Sequence, residues 1–461
     1  MSEVIGPVRE TDAFALRMER DPLLRSTITA VLVLDRVPVW ERLVERVERA
    51  TRLAPTFRAR LEPSPLPGAA PRWVLDPDFD PRWHLRRVAA PSPHTLDTVL
   101  ELARVVAMAA FDPARPLWEL TLVEGLEGGQ AALLLKVHHS LTDGVGGIAL
   151  ASHVVDTRRR PADLGPLPPL PEPGPDRGLA GALATGLDRW ARAAAAAAAE
   201  APTVVGRAVR DPLGAARATA RAIGSLARFA RPVVATRSPI MTERRLRWDL
   251  QRLDVPLEQL RAAGRVAGGT LNDAFLAAVT GGLRRYHEHH GSGVASLRIT
   301  MPINVRQPED PIAGNRITLV RFDVPVAEPD PVRRMREIGA QADAWRREPA
   351  LGWSQAVAGA LNLLPVPVTA GMLRHVDLLA SNVPGFSKPV YVGGARVDAF
   401  YAFGPTVGSA ANLTLMSYRQ TCHLGITTDQ GAVPDPAVFL DCVRAGFEEV
   451  LALAERATRP G

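Results

Sequence analysis

Ala131 to Leu150 reads AALLLKVHHSLTDGVGGIAL, and the chain is best understood outward from it. Ala131–Val137 is apolar except for Lys136 and shows no alternation, the pattern of a strand buried on both faces. It delivers His138 and His139; Ser140, Leu141 and Thr142 turn the chain, and Asp143-Gly144 leads through Val145-Gly146-Gly147 into an apolar segment. A strand that ends in an imidazole, followed by a Gly-rich turn, can hold a base rigidly beside open space. Glycine lets backbone approach where a side chain would block a ligand. Three readings compete. The histidines are ordinary strand-end residues; or His and Asp at i, i+4 spacing bind a metal; or one histidine is a general base and Asp143 fixes the loop. The metal needs a third ligand that the neighbourhood does not offer, and Gly144 to Gly147 argue against helix before Asp143. Adjacent strand residues face opposite ways, so only one histidine can serve a given site.

The composition narrows the setting. A chain of 461 residues exceeds one ordinary core, which makes two domains the natural expectation. No uncharged apolar run of about 20 residues is present, so no membrane-spanning helix is expected. The opening residues MSEVIGPVRETDAFALRMERD lack an apolar core of the secretory kind. Cys422 and Cys442 are too few for a disulfide framework and lack metal-pair spacing. A cytoplasmic, reduced protein is the expectation.

Around the central stretch the chain alternates strand-like and helical patterns. Thr27–Leu34 is β-branched, Pro38–Leu53 carries Trp40, Leu43, Val44 and Val47 at helical spacing, and Leu96–Ala110 is amphipathic. Trp118–Val123 and the strand after Gly125, Gly128 and Gly129 read as a hairpin, with Trp118 as core packing that braces the histidine strand. Leu167–Pro175 is too rich in proline for helix or inner strand and reads as a linker. An alanine- and arginine-rich helical region follows; between Arg177 and Arg245 twelve arginines face four acids, and Arg217, Arg221 and Arg228 share one helical face. Such a face suits either solvent or an anionic membrane surface. Nucleic acid is a poorer partner, because no recognition motif accompanies the arginines.

In the second half, Thr270 precedes Asn272-Asp273 and a helical run from Ala274 to Tyr286. Asp273 suits N-terminal capping, and equally a role in ordering the surroundings of the base. His287, Glu288, His289 and His290 end that run; a polar helix terminus explains them better than a metal, for which the spacing is poor. Ala411–Tyr418 and Cys422–Thr428 read as paired strands, and Asp441–Arg456 as a closing helix.

His138-His139-Ser140-Leu141-Thr142-Asp143-Gly144 fits the HHxxxDG motif of the HxxxD acyltransferase superfamily. With Pro116-Leu117-Trp118-Glu119 upstream, Leu271–Val279 downstream and Ser381-Asn382-Val383-Pro384-Gly385 beyond, nearly the whole chain resembles the bacterial wax ester synthase/acyl-CoA:diacylglycerol acyltransferase family. That resemblance implies an α/β fold with mixed sheets: two coenzyme-A-dependent-acyltransferase-like domains with the active site at their junction. Residues 1–160 and 241–461 would be the domains, and 161–240 the Pro-rich and helical linker. The implied reaction moves a fatty acyl group from acyl-CoA to diacylglycerol or a long-chain alcohol, with no cofactor and no metal, acyl-CoA being a co-substrate. His139 would be the general base, with His138 and Gly144 beside it and Asp143 in a structural role. Asn272 or a backbone N–H near Gly144 would meet the oxyanion; Asp273, Trp118 and Asn382 are further candidates for the substrate site. Arg306 is the expected partner of Asp143 or another buried acid. The implied location is cytoplasmic, with peripheral contact at an anionic membrane or lipid inclusion. Departures from the family pattern, such as Phe386 after Gly385 and Arg419-Gln420 between the last strands, bear on substrate preference. A carrier-protein-dependent condensation enzyme and a non-catalytic lipid binder are the alternatives.

Overall fold

The computed structural model describes residues 4–63, 70–160, 164–172, 233, 235–304, 315, 317–348, 358–359, 361–362 and 364–458. The alanine- and arginine-rich face expected at Arg217, Arg221 and Arg228 therefore lies outside the described residues, as does Arg306.

In the first half the order is β1 (Val4–Pro7), α1 (Glu10–Met18), β2 (Thr27–Leu34), α2 (Trp40–Leu53), β3 (Ala59–Glu62), β4 (Arg72–Leu75). It continues with α3 (Pro81–His84), β5 (Leu85–Ala89), α4 (Leu96–Met108), β6 (Trp118–Glu124), β7 (Ala131–His138) and α5 (Gly144–Val154). The second half runs β8 (Trp248–Pro256), α6 (Leu257–Val266), α7 (Leu271–His289), β9 (Ser296–Asn304), β10 (Ile317–Pro325), α8 (Pro331–Arg346), α9 (Val366–Leu373). It closes with β11 (Leu378–Pro384), β12 (Tyr391–Val392), β13 (Ala395–Phe403), β14 (Ala411–Tyr418), β15 (Thr421–Asp429) and α10 (Pro436–Thr458).

The expected buried strand is β7, which lies inside a six-stranded sheet of order β12-β13-β2-β7-β6-β5 and is antiparallel to both neighbours. Its one charge, Lys136, is 2% exposed yet not orphaned. The amine donates to the Ala110 carbonyl at 3.3 Å, sits 4.1 Å from the Phe111 ring centre and lies 3.6 Å from Glu119, its cross-strand neighbour. The hairpin from β6 to β7 turns through Gly125, Gly128 and Gly129, whose φ values of 82°, 68° and 74° suit glycine.

The second sheet has the order β10-β9-β11-β14-β15-β8. Its central strand β11 runs parallel to both β14 and β9. β14 and β15 form the expected antiparallel pair, and at their join Arg419 adopts φ +55°, the left-handed conformation glycine takes more easily. Behind this sheet α7 is buried at every position from Ala274 to Leu283. A run of alanine and glycine makes that possible. A Cβ on Gly446 of α10 would stand 2.3 Å from the Ala278 carbonyl, and one on Gly282 2.7 Å from Val443 Cα, so the two helices touch backbone to backbone.

The sheets do not follow the sequence order alone. β13 pairs with β2 and β12 with β13, so residues 391–403 of the second half complete the sheet of the first. A division at residues 160 and 241 would strip that sheet of two strands. Polar contacts fasten the exchanged strand: the Tyr401 hydroxyl donates to Asp254 of β8 at 2.9 Å, and His423 Nδ1 of β15 meets the same carboxylate at 2.8 Å. Gly425 of β15 lies so close to Ala402 of β13 that a Cβ would come within 2.1 Å of its carbonyl oxygen.

Candidate active site

β7 ends against the starts of both neighbouring strands. The His138 N–H donates to the Leu117 carbonyl and the His139 N–H to the Ser26 carbonyl, each at 2.9 Å. Backbone is thus pinned on either side where the two imidazoles emerge, and the side chains then differ completely.

His138 is 1% exposed; its Nδ1 is hydrogen-bonded, and its Nε2 has only a nearby carboxylate. Nδ1 accepts the Ser140 N–H at 3.1 Å and lies 2.7 Å from the Ser140 hydroxyl. A nitrogen that accepts cannot carry the proton, so the proton belongs on Nε2, which faces Glu19 Oε1 at 3.2 Å. Burial pushes the Glu19 carboxyl up, but His138, the Ser26 N–H at 2.6 Å and Arg25 outweigh it and hold the group below its ordinary value. Glu19 therefore stands behind both histidines: it faces His138 directly, and it holds the N–H of Ser26, the residue whose carbonyl accepts the His139 N–H.

His139 is only partly buried, and among the described residues no side chain hydrogen-bonds its ring. Enclosure by the protein lowers its pKa; Asp143 opposes that shift and His138 adds to it. The residue's own backbone carbonyl takes one ring N–H, and the result is an imidazole kept neutral around pH 7.

Asp143 is 1% exposed and caps α5, its Oδ1 accepting the Gly146 N–H at 2.7 Å while its carbonyl accepts the Gly147 N–H at 2.7 Å. Gly144 owes its identity to packing. A Cβ there would fall 2.7 Å from Cγ2 of Val383, so this part of β11 lies directly on the histidine turn. That contact joins the two sheets at the site. Strand alternation turns Asn382, beside Val383 and half-buried, toward the opposite face of β11. Gly385 is required by its own neighbour, because a Cβ would meet the Ser417 carbonyl at 2.3 Å.

The other candidates are placed differently. Asp273 forms a capping box with Thr270: its Oδ2 accepts the Thr270 N–H and hydroxyl at 2.8 Å each, and the Thr270 hydroxyl accepts the Asp273 N–H at 3.3 Å. Gly269 and Gly339 crowd that carboxylate, which leaves it the helix-capping role. The Asn272 amide lies 3.6 Å from Met301 Sδ, on the β9 side of its helix. Trp118 is core: its indole donates to the Phe57 carbonyl at 2.8 Å, and its ring stacks on His84 with centres 4.5 Å apart. His287 is core as well, its Nδ1 on the Leu283 carbonyl and its Nε2 on the Ser238 hydroxyl, both at 2.8 Å. Glu19 and Ser26 are the participants the sequence did not single out, whereas Val383 lies in the Ser381–Gly385 motif without a role read from it. Glu19 and Ser26 act through neighbours distant in the chain, and neither carries a local pattern.

A buried strand, a half-open neutral imidazole, a capped Gly-rich turn and a second sheet closing over it define a two-sheet acyltransferase of the HHxxxDG kind. The sequence profile of the wax ester synthase/diacylglycerol acyltransferase catalytic domain matches residues 9–275, and that of the WS/DGAT C-terminal domain residues 313–450. A Mycobacterium tuberculosis protein that is a diacylglycerol O-acyltransferase by name is 38% identical, over 98% of this chain and 93% of its own. A second protein of that organism and name is 32% identical, over 91% of each. The chain belongs to the wax ester synthase/diacylglycerol acyltransferase family.

Two solved structures show the same fold. The wax ester synthase/diacylglycerol acyltransferase from Marinobacter aquaeolei VT8 superposes with a TM-score of 0.63 at 21% identity, over 97% of this chain and 100% of that one. The starter condensation domain of rhizomide synthetase, in complex with C8-CoA and Leu-SNAC, also gives 0.63, at 14% identity over 99% and 96%.

Proposed function

We propose that this acyltransferase moves a fatty acyl group from acyl-CoA to the hydroxyl of diacylglycerol or a long-chain alcohol, with His139 as general base. The observation that carries this reading is the contrast between the paired imidazoles: His138 is fully buried, its Nδ1 held by Ser140 and its Nε2 facing Glu19, whereas His139 is only partly buried and its pKa is held below the ordinary value. In the reaction, a His139 ring nitrogen takes the acceptor hydroxyl proton as the oxygen attacks the thioester carbonyl. The tetrahedral oxyanion collapses, the C–S bond breaks, and the imidazolium returns the proton to the departing thiolate. The products are an ester and free coenzyme A, and no acyl-enzyme is needed because a thioester is already activated.

The developing oxyanion needs donors. Asp143 occupies the Gly146 and Gly147 N–H groups, which leaves those of Gly144 and Val145 at the same helix terminus as the candidates. Asn272, turned to Met301, is the weaker candidate. Asp143 is a positioning residue in this scheme, holding the turn that carries the base. Among the described residues no helix is long and apolar enough to cross a membrane. Since the acceptor is itself a lipid, the enzyme works at the surface of a membrane or inclusion, reached from the cytoplasm.

The test is thiol release from palmitoyl-CoA with hexadecanol or dioleoylglycerol, on wild type and His139→Ala, with lipid products resolved. Acceptor-dependent release that survives chelation and disappears in His139→Ala is expected, and the product names the acceptor. Turnover with neither acceptor would move the reading to a carrier-protein donor or a lipid binder.

A further inference from the structure

At the far end of α7, away from Asn272 and Asp273, His289 and His290 follow one another at the helix terminus. Asp435 comes to meet them from the turn that starts α10, one residue before Pro436. One ligand-capable atom from each of the three lies within 4.8 Å of the others, and His290 Nε2 stands 3.1 Å from Asp435 Oδ2. A tetrahedral ion with bonds of about 2.0–2.1 Å places its ligand atoms roughly 3.3 Å apart, so this set needs only a small side-chain adjustment. His289 is exposed and can make that adjustment cheaply.

The carboxylate is already aimed. Tyr286, one helical turn before His290, donates its hydroxyl to Asp435 Oδ1 at 2.6 Å and leaves Oδ2 for the histidines. An outer hydrogen bond that fixes a ligating oxygen is the usual support of a metal site. The Tyr286 ring also meets the His290 ring edge-on at 4.7 Å and holds its plane.

We propose that His289, His290 and Asp435 form a surface site for a borderline divalent cation such as Zn²⁺, with water completing the coordination. Two imidazoles and one carboxylate select such a cation over Mg²⁺, which prefers oxygen and keeps its water. The bound ion ties the end of α7 to the start of α10, the helix pair already packed backbone to backbone at Gly282 and Gly446. It is a staple rather than a catalyst.

The test uses untagged full-length protein, stripped with EDTA and desalted, titrated with ZnCl₂ by calorimetry and melted with and without zinc. One zinc per chain and a higher melting temperature are expected, with neither response to MgCl₂. His289→Gln/His290→Gln, both exposed and therefore tolerated by the fold, should lose the binding and the shift while keeping wild-type acyl transfer. Tyr286→Phe should weaken binding by about 10-fold or more, since it frees the carboxylate. Absence of zinc binding to wild type, or binding by the double variant as tight as wild type, would overturn the site.

Discussion

Two aspartates in this protein secure helix N-termini in different surroundings, Asp143 as the capping residue itself and Asp273 from the third helical position. Asp143 caps α5 through the Gly146 N–H, and Asp273 caps α7 through its box with Thr270. Both are almost fully buried, and both precede a run of small apolar residues. The terminus of α5 carries the imidazole turn and is roofed by Val383 from the other sheet. Asp273 is enclosed by Gly269 and Gly339 within its own half, at the head of a core helix. A capping aspartate near glycines is thus a statement about a helix. Its link to chemistry depends on what the terminus faces.

The largest effect that tests this contrast is His139→Ala. It should cost about 10²–10⁴-fold in kcat/KM, the ordinary worth of a positioned base, with little change in melting temperature. Activity within a few fold of wild type would remove His139 as base and leave the α5 terminus no more chemical than that of α7.

Next is Gly144→Ala, whose new Cβ would press on Val383 at 2.7 Å. The neighbour is a β-branched side chain on a central strand, so the turn must move instead. A displacement near 1 Å at a reacting centre costs about 10²-fold. Val383→Ala in the same protein should restore much of the loss by making room. A double variant as impaired as the single one would show that Gly144 serves some need other than closeness to β11.

What was legible in the sequence follows from the range of the forces involved. The HHxxxDG turn, the β6–β7 hairpin, β14 with β15 and the run of α7 are set by local pattern, and they stand where the pattern placed them. Pro436 starts α10 five residues before the expected Asp441, a boundary that proline at a first helical position explains. The exchange of β12 and β13 was not legible, because a strand pattern names no partner. Nor was Glu19: a carboxylate after the last turn of α1 carries no mark that it will meet His138. The Asn272-Asp273 pair shows the converse, a recognisable motif whose charged member the structure keeps for capping.

The pH dependence sharpens the contrast between the two histidines. Enclosure holds the His139 pKa below its ordinary value of about 6.5, so the acid limb of kcat/KM should lie below that value. The stability effect has the same origin. Above about 6.5 His139 is neutral folded and unfolded; as pH falls, the unfolded chain takes the proton first, so stability declines until the folded pKa is passed. His139→Gln should flatten that part of the stability profile. An acid limb at or above 6.5 would mean that the Asp143 charge outweighs enclosure.

The smallest effects come from the two caps themselves, and they separate the roles most cleanly. Asp143→Ala and Asp273→Ala each remove a capping carboxylate, worth about 1 kcal/mol of stability apiece in urea melts. The Asp273 variant should keep wild-type kcat/KM per folded molecule, because its helix begins in the core. The Asp143 variant should lose activity beyond its unfolded fraction, because the same cap also fixes the turn between His139 and the Gly144 and Val145 N–H groups. Asn, which caps nearly as well, should restore stability at position 143, the true capping position of α5. At position 143 it also separates geometry from charge: activity recovered in Asp143→Asn assigns Asp143 to holding the turn, while activity still missing with stability restored assigns it to the field at His139. Equal losses of activity at the two positions would place the α7 terminus in the reaction and dissolve the distinction between them.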